Sequence, residues 1–125
     1  MDPTRIALFD LADRRLAWAD QRQALLAQNI ANADTPGWHP RDVAPFASVL
    51  KGAGVPLAQT DPKHMSGTGI AAAGILEDGG AEAPDGNGVA LDKELSKVAD
   101  TDAAHQLVTG LYRKYLAFFQ TALGR

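Results

Sequence analysis

The 125-residue chain carries a net charge of -3, with 12 Lys and Arg set among 15 Asp and Glu. That balance offers no basic face for nucleic acid, and a chain this short holds one domain at most. With 0 Cys it has neither a disulfide framework nor a thiolate metal site.

No apolar run approaches the roughly 18 residues of a membrane helix, so membrane insertion is not expected. The start, Met1-Asp2-Pro3-Thr4-Arg5, lacks a basic region followed by a clean apolar segment. Asp10 and Asp13 interrupt the nearest candidate, and a cleavable secretory signal is not expected either.

Residues 1–38 read as a helix closed by a turn. From about Thr4 to Ala33, the positions Phe9, Ala12, Leu16, Ala19, Gln23, Leu26, Ile30 and Ala33 alternate steps of three and four, a heptad seam. Leu8, Leu11, Trp18 and Leu25 form a second seam one residue away. The apolar stripe is thus wider than a two-stranded coiled coil needs, which predicts a helix that meets more than one neighbour. It would run about 45 Å at 1.5 Å per residue. The stretch Asn29-Ile30-Ala31-Asn32-Ala33-Asp34-Thr35-Pro36-Gly37-Trp38 ends it. Pro36 disfavours helix at Thr35, and Pro-Gly at the two central positions suits a type II turn.

Residues 39–88 change character, holding most of the 12 Gly and 7 Pro. Val43, Phe46, Val49 and Leu50 suit a short helical turn or a strand. Short β pieces are expected near Val55-Pro56-Leu57 and Ile75-Leu76. The remainder has little to bury, which predicts disorder or folding against a neighbour.

Residues 89–125 form a second long helix, starting near Leu91 after the turn signal Asp85-Gly86-Asn87-Gly88. Leu91, Leu95, Val98, Asp102, His105, Thr109, Tyr112, Leu116, Phe119 and Leu123 keep the three-four spacing. Gly124 is placed to end it. The fold class is mainly α: two long terminal heptad helices packing as a coiled-coil hairpin around an irregular, partly β or disordered middle. Such a hairpin is marginal alone, and neighbours covering both seams would favour folding on assembly.

Chemistry is hard to find. His39, His64 and His105 lie near Asp42, Asp61 and Asp102, but no pair has the one-turn spacing that puts two ligands on one helix face. No phosphate loop follows a strand, and Ser48, Ser66 and Ser96 lack a nucleophile's setting. Neither an enzyme nor a cofactor is expected. Trp18 belongs to the second seam, as core or interface. Trp38 either packs back on the helix end or anchors a neighbouring subunit.

Ala31-Asn32-Ala33-Asp34-Thr35-Pro36-Gly37-Trp38, preceded by Asn29-Ile30, resembles the signature of bacterial flagellar axial proteins, which closes a heptad helix with Ala-Asn-x-x-Thr-Pro-Gly-Tyr. The second heptad helix adds to the likeness. The small size, the runs Asp20-Gln21-Arg22-Gln23 and Thr60-Asp61-Pro62-Lys63-His64-Met65, the segment Asp85-Gly86-Asn87-Gly88-Val89 and the tail from Leu111 to Arg125 are similar to proximal rod subunits. Two departures stand out: Trp38 replaces a Tyr, and Ala90 replaces an Asp at the start of the second helix.

The resemblance implies a structural rod subunit that assembles helically in the periplasm and transmits torque from motor to hook. It implies export by the flagellar type III apparatus without signal cleavage. The neighbours it implies are copies of itself, other rod proteins and the rod–MS-ring junction protein FliE. In this family a Phe followed four residues later by an apolar residue is associated with docking at the export gate; here Phe9 is followed by Asp13. The motif residues are Asn29, Ala31, Asn32, Thr35, Pro36, Gly37 and Trp38. The assembly seam would comprise Phe9, Leu16, Leu26, Ile30, Leu91, Leu95, Val98, Tyr112, Leu116 and Phe119. The alternative is a helical-hairpin adaptor that binds a single partner outside any rod.

Overall fold

The computed structural model describes residues 7–52 and 74–124. Its elements in order are α1 (Ala7–Ala31), β1 (Arg41–Val43), α2 (Phe46–Gly52), β2 (Ile75–Glu77) and α3 (Leu91–Ala122). The mainly helical class read from the sequence is the observed one. The expected strand near Ile75-Leu76 is present; Val55-Pro56-Leu57 and His64 lie outside the described residues. Val43 falls in a strand, whereas Phe46, Val49 and Leu50 fall in a helix.

The two long helices run antiparallel. Phe9 near the start of α1 stacks on Tyr112 near the end of α3, with ring centroids 4.7 Å apart. At the other end Asn29 bonds to Glu94 in the first turn of α3. The doubled apolar seam of α1 does meet two neighbours, and both lie within this chain: α3 along one side and β1 along the other.

The apolar core is small and sits on the β1 side, where Trp18, Ala19, Leu25 and Val43 are buried with Phe46 and Val49 packed against them. Trp18 donates its indole N–H to the Ala44 carbonyl at 2.8 Å, satisfying the polar edge of a buried ring. Phe46 meets the same ring edge-on at 6.1 Å. The Arg15 guanidinium lies 4.5 Å from the Trp18 centroid and 4.7 Å from that of Phe46, sealing this core with a cation over two rings. Leu26 is the apolar residue of α1 buried most completely, at 0% exposed.

α1 ends at Ala31, five residues before Pro36. The Asn32 amide is shared between the Gln28 and Asn29 carbonyls at 3.1 Å each, and its side-chain amide donates to Gln28 at 2.8 Å. The Trp38 amide then closes on the Thr35 carbonyl at 3.3 Å across Pro36 and Gly37, and Gly37 has φ 70°. This is the type II turn read from Pro-Gly. The chain reverses through it into β1, which pairs antiparallel with β2 in the register Arg41↔Glu77, Asp42↔Leu76, Val43↔Ile75.

α3 begins after Ala90, which is extended and makes no side-chain cap, so the helix start lacks the acceptor an Asp would supply there. Asp92 and Glu94 in the first turn favour the helix dipole instead. Gly110 sits mid-helix with nothing within 4 Å of where a Cβ would stand. Gly110→Ala is therefore expected to stabilise the fold by about 1 kcal/mol through helix propensity alone. A rise in the denaturation midpoint checks this; a fall would mean the open face at Gly110 is needed by the fold.

Candidate functional site

The end of α1, the start of α3 and the two turns between them form one polar clamp. Its first half joins the Thr35–Trp38 turn to the Asp85–Gly88 turn. The Gly37 amide donates to the Asp85 carbonyl at 3.1 Å, and the Gly88 amide donates to the Trp38 carbonyl at 2.9 Å. Asn87, buried, reaches across with its side chain. Its amide donates to the carbonyls of Asn32 at 3.0 Å and Thr35 at 2.6 Å, and its oxygen accepts the Val89 amide at 2.8 Å. Gly37 and Gly86 both have positive φ, 70° and 80°, and meet back to back. A Cβ on Gly86 would lie 3.4 Å from the Gly37 Cα. Two glycines let two turns approach closely enough for one asparagine to bridge them.

The second half is buried and charged. Asn29, 1% exposed, offers both ends of its side-chain amide to Arg41: Oδ1 accepts the Arg41 N–H at 3.0 Å, and Nδ2 donates to the Arg41 carbonyl at 2.8 Å. In this way a helix side chain acts as a strand neighbour and sets where β1 begins. The same Nδ2 donates to Glu94 Oε2 at 2.8 Å. Glu94, 2% exposed, accepts from Lys97 through its other oxygen at 2.8 Å. The Lys97 ammonium also bonds Asp78 and lies 3.6 Å from Asp42. Arg22 grips Asp42 with two N–H donors, at 2.9 and 3.0 Å. A third donor reaches the hydroxyl of Thr101 at 3.5 Å, and that hydroxyl itself donates to the Lys97 carbonyl at 2.7 Å.

Three carboxylates and two cations from α1, β1, the segment after β2 and α3 are thereby knotted together, with Glu94 buried, Arg22, Asp42 and Lys97 partly buried, and Asp78 open to water. Burial pushes the Asp42 carboxyl up, but the Arg22 hydrogen bonds and charge, the Val43 amide and the Lys97 charge outweigh it and leave the group below the usual carboxylate range. Burial likewise pushes Lys97 down, and its bonds to Asp78 and Glu94 with their charges turn the net shift upward. Both groups are held in their charged forms. Among the described residues no three His, Cys, Asp or Glu are placed to hold a metal ion. The carboxylates here face guanidinium and ammonium instead.

The residues singled out in the sequence divide sharply. Of the motif, Asn29 is buried, Asn32 and Trp38 are half-buried, and Ala31, Thr35, Pro36 and Gly37 are exposed. Trp38 packs back on the corner with Arg41 5.9 Å above its ring, while its indole Nε1 is buried with no partner among the described residues. Of the seam, Phe9 and Leu26 are buried, and Leu16, Ile30, Val98, Tyr112 and Phe119 are half-buried. Leu91, Leu95 and Leu116 are not: they stand 46%, 53% and 51% exposed. The buried positions of α3 are Glu94, Thr101 and Val108, seven residues apart. The contact with α1 is therefore made by a face on which two of the three central residues are polar. Arg22, Asp42, Asp78, Asn87, Glu94, Lys97 and Thr101 were not readable as one site, because the bonds that join their separate segments span 19 to 79 residues in sequence. The sevenfold spacing of Glu94, Thr101 and Val108 was the available signal.

Half of this clamp sits in a recognisable segment. The sequence profile described as "Flagella basal body rod protein" matches residues 9–38, which span α1 and the corner turn. The likeness continues across the chain. A flagellar basal body rod protein FlgB of Agrobacterium fabrum is 32% identical over 117 residues, covering 88% of this chain and 87% of the relative. The chain belongs to the FlgB family of flagellar basal body rod proteins. The FlgB of Salmonella typhimurium is 37% identical over 99 residues, 70% of this chain and 71% of its own. That of Cereibacter sphaeroides is 30% identical over 111 residues, 86% of this chain and 87% of its own. In this FlgB-family chain the profile segment supplies Arg22, Asn29, Asn32 and Gly37 to the clamp. Asp42, Asp78, Asn87, Glu94 and Lys97 come from beyond it.

Proposed function

We propose that this chain is a non-catalytic structural subunit of the proximal rod, assembling helically with copies of itself and with other rod proteins and transmitting torque from motor to hook. Its place would be the periplasmic rod of the basal body, reached through the flagellar type III export apparatus without signal cleavage. FliE at the rod–MS-ring junction would be a further neighbour. No described helix is long and apolar enough to cross a membrane, consistent with a subunit carried by its neighbours.

The observation that carries this reading is the exposed apolar surface on two flanks of α3, a helix of about 48 Å. At about 100° per residue, Leu91, Leu95 and Leu116, 46%, 53% and 51% exposed, lie on one flank, and Leu107, Leu111 and Phe118, 65%, 44% and 67% exposed, lie on the other. Exposed apolar surface of that extent on a slender hairpin is what helix packing between subunits would cover. Leu95→Asp and Leu116→Asp are expected to leave the helical content of the purified chain intact, because neither side chain is buried within it, and to abolish rod assembly and motility on complementation. Wild-type motility in both strains would overturn the reading. A discrete one-to-one complex that survives both substitutions would favour an adaptor instead.

A further inference from the structure

The hairpin raises a question that apolar burial does not answer: why α3 turns Glu94 inward and leaves Leu91 and Leu95 outside. Successive residues of an α-helix are about 100° apart, so a rotation of one residue step would exchange Glu94 for Leu95 against α1. Beside Asn29 on α1, Leu26 is buried and Ile30 half-buried, apolar side chains on which leucines would pack readily. Lower down the rival face carries Asp102 and His105, so both faces of α3 are of mixed polarity. They differ in what meets them. The polar groups of the inward face all find partners from other elements: Glu94 has Asn29 of α1, Lys97 has Asp42 of β1 and Asp78, and Thr101 has Arg22 of α1. Among the described residues, Asp102 bonds along its own helix, accepting from Gln106.

We propose that the buried polar cluster centred on Asn29 and Glu94 is a rotational key, selecting which face of α3 packs on α1 and thereby which leucines are left on the surface. A buried ionic cluster is a poor source of stability, since desolvation of the charges offsets their attraction, but it discriminates strongly between arrangements that pair its members and arrangements that do not. The key operates in the isolated chain, whatever that chain assembles with.

The test uses thiol labelling in the full chain, which has 0 Cys of its own, so one introduced cysteine reports alone. Leu95→Cys reports the outward face and Ala104→Cys the half-buried inward side, each measured in dilute protein shown by sedimentation to be unassembled. Asn29→Leu removes the α1 partner of Glu94 and makes that part of the groove apolar. With helical content retained, labelling at position 95 should slow at least about tenfold while labelling at 104 accelerates by a similar factor. Adding Leu91→Gln, which weakens the rival face, should restore the original pattern. Unchanged rates at both positions would overturn the proposal, because apolar packing would then be choosing the face. Loss of helix with fast labelling at both would also overturn it, since the cluster would then be holding the hairpin together and not selecting its orientation.

Discussion

Lys97→Met is expected to destabilise the hairpin by about 3 kcal/mol at neutral pH, near the lower end of the range for breaking a buried ion pair. The lower end applies because Asp78 retains access to water, with its side chain 38% exposed. Without the ammonium, Glu94 is a buried carboxylate whose side-chain partner among the described residues is Asn29, while Asp42 keeps Arg22. The charged groups facing position 97 are then Glu94 on its own helix, Asp42 on β1 and Asp78 after β2, with Arg22 on α1 behind Asp42. In the wild type the depressed Asp42 contributes stability above its unfolded pKa near 4, and that contribution is lost as pH falls through the folded value. The raised Lys97 contributes below its unfolded pKa near 10.5, lost as pH rises through the folded value. Stability should therefore be flat from roughly pH 5 to 9. The variant behaves differently. Removing the cation takes away one of the charges that hold the Asp42 carboxyl low, so the penalty relative to wild type shrinks as that group protonates. Denaturant unfolding at pH 7 and pH 4.5 measures both slopes. A penalty that grows on acidification would show that Lys97 does not neutralise this cluster. Adding Glu94→Gln to Lys97→Met should recover much of the loss at pH 7, because the uncompensated charge is then gone.

Asn87→Ala is expected to cost about 3 kcal/mol, roughly 1 kcal/mol for each of the three backbone groups its side chain serves. Those groups are the Asn32 and Thr35 carbonyls and the Val89 amide. Because two of them belong to the corner turn, hydrogen exchange at Gly37 and Trp38 should accelerate along with global destabilisation. Asn87→Asp separates the donors from the acceptor. It still accepts from Val89 but sets carboxylate oxygens against two carbonyls, so at neutral pH it should be at least as damaging as alanine. Protonation would return one donor and part of the stability. An aspartate as stable as wild type at pH 7 would mean that the bridge between the two turns does not depend on the donated hydrogen bonds.

These expectations concern residues that periodicity did not select, and the reason is physical. A heptad pattern records where apolar residues recur, which located α1, α3 and the Leu26 anchor. It ranks faces by apolarity, and so it favoured Leu91, Leu95 and Leu116 as the inward stripe of α3. The structure instead buries Glu94 and Thr101, whose suitability depends on partners supplied by α1, β1 and the segment after β2. Trp38 illustrates the same limit. Its half-burial against Arg41 follows from the corner's path, and nothing in the local sequence signals that its indole N–H would be buried with no partner among the described residues.

What the sequence determined by itself was local: two long helices, the end of α1 ahead of Pro36 and the positive-φ turn at Gly37, each set by backbone sterics or periodicity within a few residues. Only the tertiary structure decided that Asn87 closes that turn from more than fifty residues away, that Asn29 and Glu94 meet in the interior, and which side of α3 faces out. Hydrogen bonds and ion pairs between distant segments depend on angstrom-scale geometry that appears only when the chain has closed. The apolar stripes of α3 alone left that closure open.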